Sequence, residues 1–218
     1  MKQLELLAPA RDYQIGIAAI DCGADAVYIA GPRFGARQAA GNEIEDIRQL
    51  CDYAHKFGAK IFITLNTILY DSELEAAYRF MLDVQEAGAD AIIVQDLAVV
   101  EMARNGFNGI FEQLRIPLHA STQCSIRTPE QARWLESLGF SRLILERELS
   151  LEQIKAIRAA VSCELEFFVH GAETVVRYPI ACKRSAIKSS KSYPFKFLLN
   201  SFKIKSLVLS MISSAVVA

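Results

Sequence analysis

The chain has 218 residues, of which 52% are hydrophobic and 22% are charged, a composition that suits one ordinary domain with a buried core. Its net charge of −1 is the sum of two unequal parts, because residues 1–172 hold 16 Lys/Arg and 24 Asp/Glu whereas residues 173–218 hold 8 and 1. The acidic body excludes a broad nucleic-acid surface there, and only the basic end favours one.

The predicted strands follow a recurring phrase in which a glycine opens a short aliphatic run. The phrase reads GADAVYI from Gly23, GAKIFIT from Gly58, GADAIIV from Gly88 and GFSRLIL from Gly139. Glycine after a helix accepts the left-handed conformation that ends many helices. The apolar runs favour parallel strands that are covered on both faces.

Helical patterns separate these strands. Thr128 with Pro129 predicts one helix start, Ser150 with Gln153 a second, and Ser72 with Glu75 a capping box at a third. Strands are predicted at 4–7, 25–30, 59–65, 90–94, 116–120, 142–146 and 164–169. This alternation predicts an α/β fold, a TIM-like (β/α) barrel that is incomplete, with about seven strands, six helices and a non-matching C-terminal tail.

Polar side chains follow the predicted strands, at the end where such barrels carry their chemistry. The predicted catalytic residues are Glu166, His170 and Glu146, and the predicted substrate-binding residues are Asn66, Thr67, Gln123, Arg33 and Arg37. A carboxylate with a histidine can perform acid–base catalysis, and the arginines can hold an anionic group. No metal ligands are predicted.

Structural roles compete with these catalytic ones. Asn66 and Thr67 are as well suited to satisfying loop backbone, and Asp96 to starting a helix. His119 lies within a strand, where a packed histidine is the more common case. Glu166 alternates with Phe167 and Phe168, so it either points into the barrel or pairs with an arginine.

Seven segments, in this order, resemble peptidase family U32, the collagenase-like proteases. They are LELLAPARDY, GADAVYIAGPRFGAR, TLNTILYDSEL, GADAIIVQDLAVV, LHASTQCSI, LILERELSLEQI and ELEFFVHGA, which together cover about residues 3–172. The resemblance implies a TIM-barrel-like hydrolase with a peptide or protein substrate, in the cytoplasm of a bacterium. Other branches of the family hydroxylate RNA bases or the ubiquinone ring, with a four-iron iron–sulfur cluster held by cysteines just after the seventh strand.

The chain departs from the family pattern at several positions. Arg11 and Ala30 stand where the family usually has glycine. After Ala172 the family signature continues with an aliphatic residue and a cysteine, whereas this chain has Glu173 and Thr174. Cys182 is the last cysteine of the chain. Because one thiolate cannot hold a four-iron cluster, no cofactor is expected in this chain.

The five cysteines form no CxxC pair, which argues against a disulfide framework and a local zinc site. The chain also shows neither a secretory signal nor an apolar run long enough to span a bilayer, so a cytoplasmic protein without membrane insertion is expected.

Two domains are predicted, a barrel over residues 1–172 and a basic, Ser/Lys-rich tail over residues 173–218. The tail is either an RNA-binding appendage, a membrane-associating end or unrelated out-of-frame sequence, and the abrupt change favours the last. The prediction is therefore a U32-type peptidase in truncated form. Two alternatives are a hydroxylation-type protein with an RNA or quinone substrate, and an inactive remnant whose barrel a partner subunit completes.

Overall fold

Seven parallel strands alternate with helices in the computed structural model, which describes residues 5–35, 42–107 and 114–168. The strands of this part are β1 Leu7–Ala10, β2 Ala26–Ala30, β3 Lys60–Leu65, β4 Ala91–Val94, β5 Leu118–Ala120, β6 Arg142–Ile144 and β7 Glu164–Glu166. The α-helices are α1 Tyr13–Asp21, α2 Ile44–Lys56, α3 Leu74–Glu86, α4 Ala98–Asn105, α5 Pro129–Ser137 and α6 Leu151–Ala160. Short 3₁₀ turns lie at Asp71–Glu73 and Thr122–Cys124.

The strands pair in chain order, β1 to β7, and every pair is parallel. Each crossover between neighbours carries a helix, as right-handed βαβ units require. The sheet curls into an open half-barrel, which confirms the predicted incomplete (β/α) barrel. The predicted tail and the boundary after residue 172 lie outside the described residues.

Alternate residues of each strand face two different layers. Val27, Ile61 and Ile92 belong to the large core between the sheet and the helices. Phe62 and Ile144 belong to a smaller cluster inside the barrel. Because side chains on a strand alternate between faces, the same period places charged residues inward at the strand starts.

The four glycines of the recurring phrase have positive φ angles of 92°, 69°, 90° and 89°, at Gly23, Gly58, Gly88 and Gly139 respectively. The predicted left-handed ends are therefore confirmed. At Gly58 an added Cβ would meet nothing within 4 Å, so backbone conformation alone calls for glycine there.

The predicted helix starts at Thr128 and Ser150 are confirmed, because each side chain accepts a hydrogen bond from the backbone N–H of the third residue of its helix, Gln131 and Gln153 respectively. The capping box at Ser72 is wrong. Ser72 lies inside the 3₁₀ turn, and Glu73 instead accepts a 2.9 Å bond from the backbone N–H of Tyr70. Because of this tight turn, α3 begins at Leu74, and the residue at its N-cap is Glu73 rather than Ser72.

No helix within the three described ranges is long and apolar enough to cross a membrane.

Candidate active site

An ionic cluster fills the amino-terminal half of the barrel interior. Arg142, the first residue of β6, has a side chain only 6% exposed. Its guanidinium contacts Glu5 at 2.6 Å, Glu164 at 2.5 Å and Glu166 at 3.3 Å. Lys60 contacts the second oxygen of Glu5 at 2.9 Å. The network therefore joins the residues around the starts of β1, β3, β6 and β7.

Two rings pack against this cluster. The Arg142 guanidinium lies 4.9 Å from the centre of the Phe62 ring, and the His119 ring meets Phe62 edge-on at 4.8 Å. Burial, with the nearby Arg142, lowers the pKa of His119 to about 3, so the imidazole is neutral. Its Nδ1 has no partner among the described residues. His119 is thus the packed histidine that its place in a strand predicts.

The pKa values of the two inward carboxylates in the cluster, Glu166 and Glu5, shift in opposite directions. Burial raises the pKa of Glu166 to about 7, against the attraction of Arg142. Burial also raises the pKa of Glu5, but hydrogen bonds from Arg142 and Lys60 outweigh it and lower that pKa overall. Glu166 is the more deeply buried of the two and meets Arg142 at 3.3 Å, whereas Glu5 meets Arg142 at 2.6 Å and Lys60 at 2.9 Å. Glu166 therefore points into the barrel and also pairs with an arginine, so both of its predicted interpretations apply.

A cavity of about 270 Å³ opens at the carboxyl ends of β5 and β6. Its polar lining consists of Thr122, Gln123, Ser125, Arg127, Glu146 and Arg147. The structure thus brings together two of the predicted site residues, Gln123 and Glu146. Arg127 was missed by the sequence reasoning because it lies in a loop rather than directly after a strand.

Hydrogen bonds and one cation–ring contact hold the walls of this cavity. The Gln131 amide donates to the Cys124 carbonyl at 2.8 Å, and its oxygen accepts from the Arg127 N–H at 3.1 Å. The Glu146 N–H donates to the Ile126 carbonyl at 3.2 Å. The Arg147 guanidinium lies 4.5 Å from the centre of the Phe168 ring. These bonds fix both loops before a ligand arrives.

The other predicted binding residues lie at the same end of the barrel, on the loops after β2 and β3. The Asn66 N–H donates to the Phe34 carbonyl at 3.0 Å, and the Thr67 hydroxyl donates to the same oxygen at 3.3 Å. Thr67 therefore satisfies loop backbone, the structural alternative of the sequence analysis. Arg33 is exposed beside them. Arg37 and His170 lie outside the described residues.

Asp96 connects two of the loops at this end. One carboxylate oxygen accepts from the Leu69 N–H and the other from the Ala98 N–H, each at 2.9 Å. It thus satisfies backbone near the start of α4, close to the capping role that the sequence predicts for it.

The cysteines of the described ranges do not fit an iron–sulfur cluster. Burial raises the pKa of Cys51 to about 12 and those of Cys124 and Cys163 to about 11. Without a metal these groups are therefore neutral thiols. In the same ranges, no three His, Cys, Asp or Glu side chains come together as metal ligands. Cys182 lies outside the described residues.

Comparison with known proteins gives a family and several named relatives. The model of peptidase family U32 matches residues 11–193. The chain is 50% identical to the 23S rRNA 5-hydroxycytidine C2501 synthase of Escherichia coli over 190 residues, 87% of this chain and 28% of that protein. It is 33% identical to tRNA hydroxylation protein P1 of Bacillus subtilis (78% and 39% of the two chains) and 36% identical to the uncharacterized protease MJ0090 of Methanocaldococcus jannaschii (79% and 42%).

The chain therefore spans less than half the length of these curated relatives. Among solved structures, it is similar to the U32 peptidase Mk0906, with a TM-score of 0.61 and 19% identity over 76% of this chain and 68% of that one. Identity this low shows a shared fold alone.

Proposed function

The chain belongs to peptidase family U32, and within that family we propose that it acts on RNA, as the barrel portion of a protein that hydroxylates a cytosine base. The observation that carries the proposal is the 50% identity to the rRNA 5-hydroxycytidine synthase. The relatives named as proteases are less similar, at 36% for MJ0090 and 30% for the collagenase of Porphyromonas gingivalis. Peptidase activity, the main expectation from the sequence, is thus less well supported than the hydroxylation alternative.

The charge of the cavity suits an RNA strand. Arg127 and Arg147 both line it and both are exposed. Arginine binds phosphate oxygens through paired N–H groups. Because the body of the chain is acidic, these two arginines form a local basic site rather than a broad one. A local site suits recognition of a single nucleotide displaced from its stack.

The neutral and acidic lining suits the base itself. Glu146 can accept hydrogen bonds from the exocyclic amine of cytosine, which uracil lacks, and Gln123 can donate as well as accept. In this proposal Glu146 selects the base and Gln123 orients it. The part of this chain in the reaction is to bind and position the base in the cytoplasm, where ribosomal RNA is found.

Peptide hydrolysis is the second candidate, favoured by one observation. Glu166, which is 18% exposed and has its pKa raised by burial to about 7, has the property that a general acid–base group needs at neutral pH. Its predicted partner His170 lies outside the described residues. A partner subunit that completes the barrel likewise stays a prediction.

One experiment separates the candidates. Purified full chain is mixed with a short RNA copying the 23S rRNA loop that the E. coli enzyme modifies, and binding is measured by fluorescence anisotropy. We expect preference for the cytidine-containing loop over a C→U copy, and loss of that preference in Glu146→Gln. Glu148→Gln, an exposed neighbour in sequence, is the matched control.

A second outcome of these measurements would favour hydrolysis. Gelatin cleavage that disappears in Glu166→Gln, from a chain that binds neither RNA, would reject the RNA proposal and support hydrolysis.

A further inference from the structure

Helices α5 and α6 begin with the same kind of cap but use the glutamine of their first turn differently. Each has a Ser or Thr cap and a glutamine three residues later, Gln131 in α5 and Gln153 in α6. Gln153 completes a capping box, in which its side-chain oxygen accepts the N–H of its own cap residue, Ser150, at 2.8 Å. The side chain of Gln131 does not bind its own cap residue in this way and binds elsewhere.

Gln131 reaches past its cap to the loop before the helix. Its side-chain oxygen accepts the Arg127 N–H at 3.1 Å, and its amide donates to the Cys124 carbonyl at 2.8 Å. We call residues 124–127 the wall loop, because Ser125 and Arg127 both line the cavity. One side chain therefore bridges both ends of the wall loop.

The wall loop holds a residue in an uncommon conformation. Ser125 has a φ of 52° and a ψ of 47°, in the left-handed region that residues other than glycine rarely adopt. Its N–H donates to the Thr122 carbonyl at 2.9 Å. The two hydrogen bonds of Gln131 bind the chain before and after Ser125, so they oppose relaxation of this backbone.

The wall loop is also joined to Glu146, the residue to which the proposed function gives selection of the base. The Glu146 N–H donates to the Ile126 carbonyl at 3.2 Å, and Ile126 is fully buried. Because Ile126 lies between the two residues that Gln131 binds, a shift of the wall loop also moves the acceptor of this bond.

We propose that Gln131 is a positioning residue that sets the preference of the cavity for cytosine by fixing the wall loop. The inference rests on the proposed function and adds to it a residue that acts through others. Through the Ile126 carbonyl, Gln131 sets where Glu146 meets the exocyclic amine of the base. Through the Arg127 N–H, it sets where that guanidinium meets a phosphate. A shift of roughly 1 Å in such contacts is enough to weaken recognition.

The test measures RNA binding by the full chain with fluorescence anisotropy, on the cytidine-containing loop and its C→U copy. Gln131→Met keeps the length of the side chain but makes neither hydrogen bond, and should lower the preference for cytidine by about 5-fold or more. The slope of affinity against salt should also flatten, because Arg127 no longer holds its phosphate. Gln153→Met is the matched control. It removes the same side chain from the same helical position, outside the cavity lining, and should keep both the preference and the slope.

Hydrogen exchange of the backbone amides, followed by NMR, tests the contact itself without RNA. The Arg127 N–H should exchange faster in Gln131→Met than in wild type, because its acceptor is gone, and at the wild-type rate in Gln153→Met. If Gln131→Met does not fold, Gln131→Glu replaces it, since a carboxylate accepts the Arg127 N–H but cannot donate to the Cys124 carbonyl. That variant should keep the Arg127 amide protected and still lower the preference for cytidine.

Four outcomes would count against the inference. A preference for cytidine that survives loss of the Gln131 amide rejects the positioning role and leaves the proposed function standing. An equal loss of preference in Gln131→Met and Gln153→Met assigns the effect to lower stability and rejects it too. An Arg127 amide whose exchange does not change in Gln131→Met shows that the bond does not hold the wall loop. A wild-type chain without preference for cytidine rejects both the inference and the proposed function.

Discussion

Arg142→Met is expected to destabilise the fold more than any surface charge substitution. The variant removes the guanidinium that Glu5, Glu164 and Glu166 share and keeps a side chain of similar length. Glu164 is 59% exposed and can turn to water. Glu5 and Glu166, at 23% and 18%, are less exposed, although Glu5 keeps its 2.9 Å contact with Lys60.

The size of the loss follows from these exposures. Leaving buried charge without its partner typically costs about 3–5 kcal/mol. The contact between Arg142 and the Phe62 ring adds about 0.5–1 kcal/mol, whereas partial protonation of Glu166 and the remaining contact of Glu5 with Lys60 offset some of the sum. We expect a loss of about 4 kcal/mol in the free energy of unfolding at about pH 8, a large share of the roughly 5–15 kcal/mol of a typical domain.

Urea unfolding followed by circular dichroism measures this loss. Arg79→Met is the matched control, because Arg79 pairs with Glu75 on an exposed helix face, and its effect should stay within about 0.5 kcal/mol. The triple variant Arg142→Met, Glu5→Gln, Glu166→Gln should recover most of the stability, since no buried charge remains unpaired. Equal losses in Arg142→Met and Arg79→Met, or a triple variant less stable than Arg142→Met alone, would refute this account.

Three further predictions concern other buried groups. Because burial holds the pKa of Glu166 at about 7 in the folded state, above its ordinary 4.5, ionisation opposes folding as pH rises. The stability of wild type relative to Glu166→Gln should fall by on the order of 3 kcal/mol between about pH 5 and pH 8 in urea titrations, and a pH-independent difference would contradict this. Gly31→Ala places a methyl 2.3 Å from the Phe80 ring and should cost about 1–3 kcal/mol by the same assay, with partial recovery in Phe80→Leu; an unaffected Gly31→Ala would show that the ring can move. Cys51, with a pKa of about 12, should react with a thiol reagent only on unfolding, while the half-buried Cys22 reacts in the folded chain; mass spectrometry of the labelled peptides decides.

The fold could be predicted from sequence because its signals are local. Gly58 ends one helix and opens β3 within a few residues, and the apolar run after it shows that both faces of the strand are covered. The same pattern repeats along the chain, so the prediction of each βα unit strengthens the prediction of the next. The capping box predicted at Ser72 was wrong because Asp96, 24 residues further along the chain, holds the preceding loop by a hydrogen bond. No local sequence pattern shows that contact.

The ionic cluster could not be predicted in the same way. Arg142 opens an aliphatic run, and its partner Glu5 lies 137 residues away in sequence. A weaker signal was present: Lys60, Arg142 and Glu164 each stand at the first residue of a strand. In a parallel barrel these positions meet at one end, so charges of both signs there indicate an interior ion network.

This cluster also explains how an open sheet can hold its curvature. Within the described residues β1 and β7 do not pair with each other, so backbone hydrogen bonds do not close the barrel. The contact of Glu5 with Arg142 joins the chain just before β1 to β6, across that gap. Ionic contacts therefore bring the first and last strands together at the amino-terminal end. The carboxyl end is left to the loops that form the cavity, so substitutions there leave intact the contacts that hold the sheet in its curve.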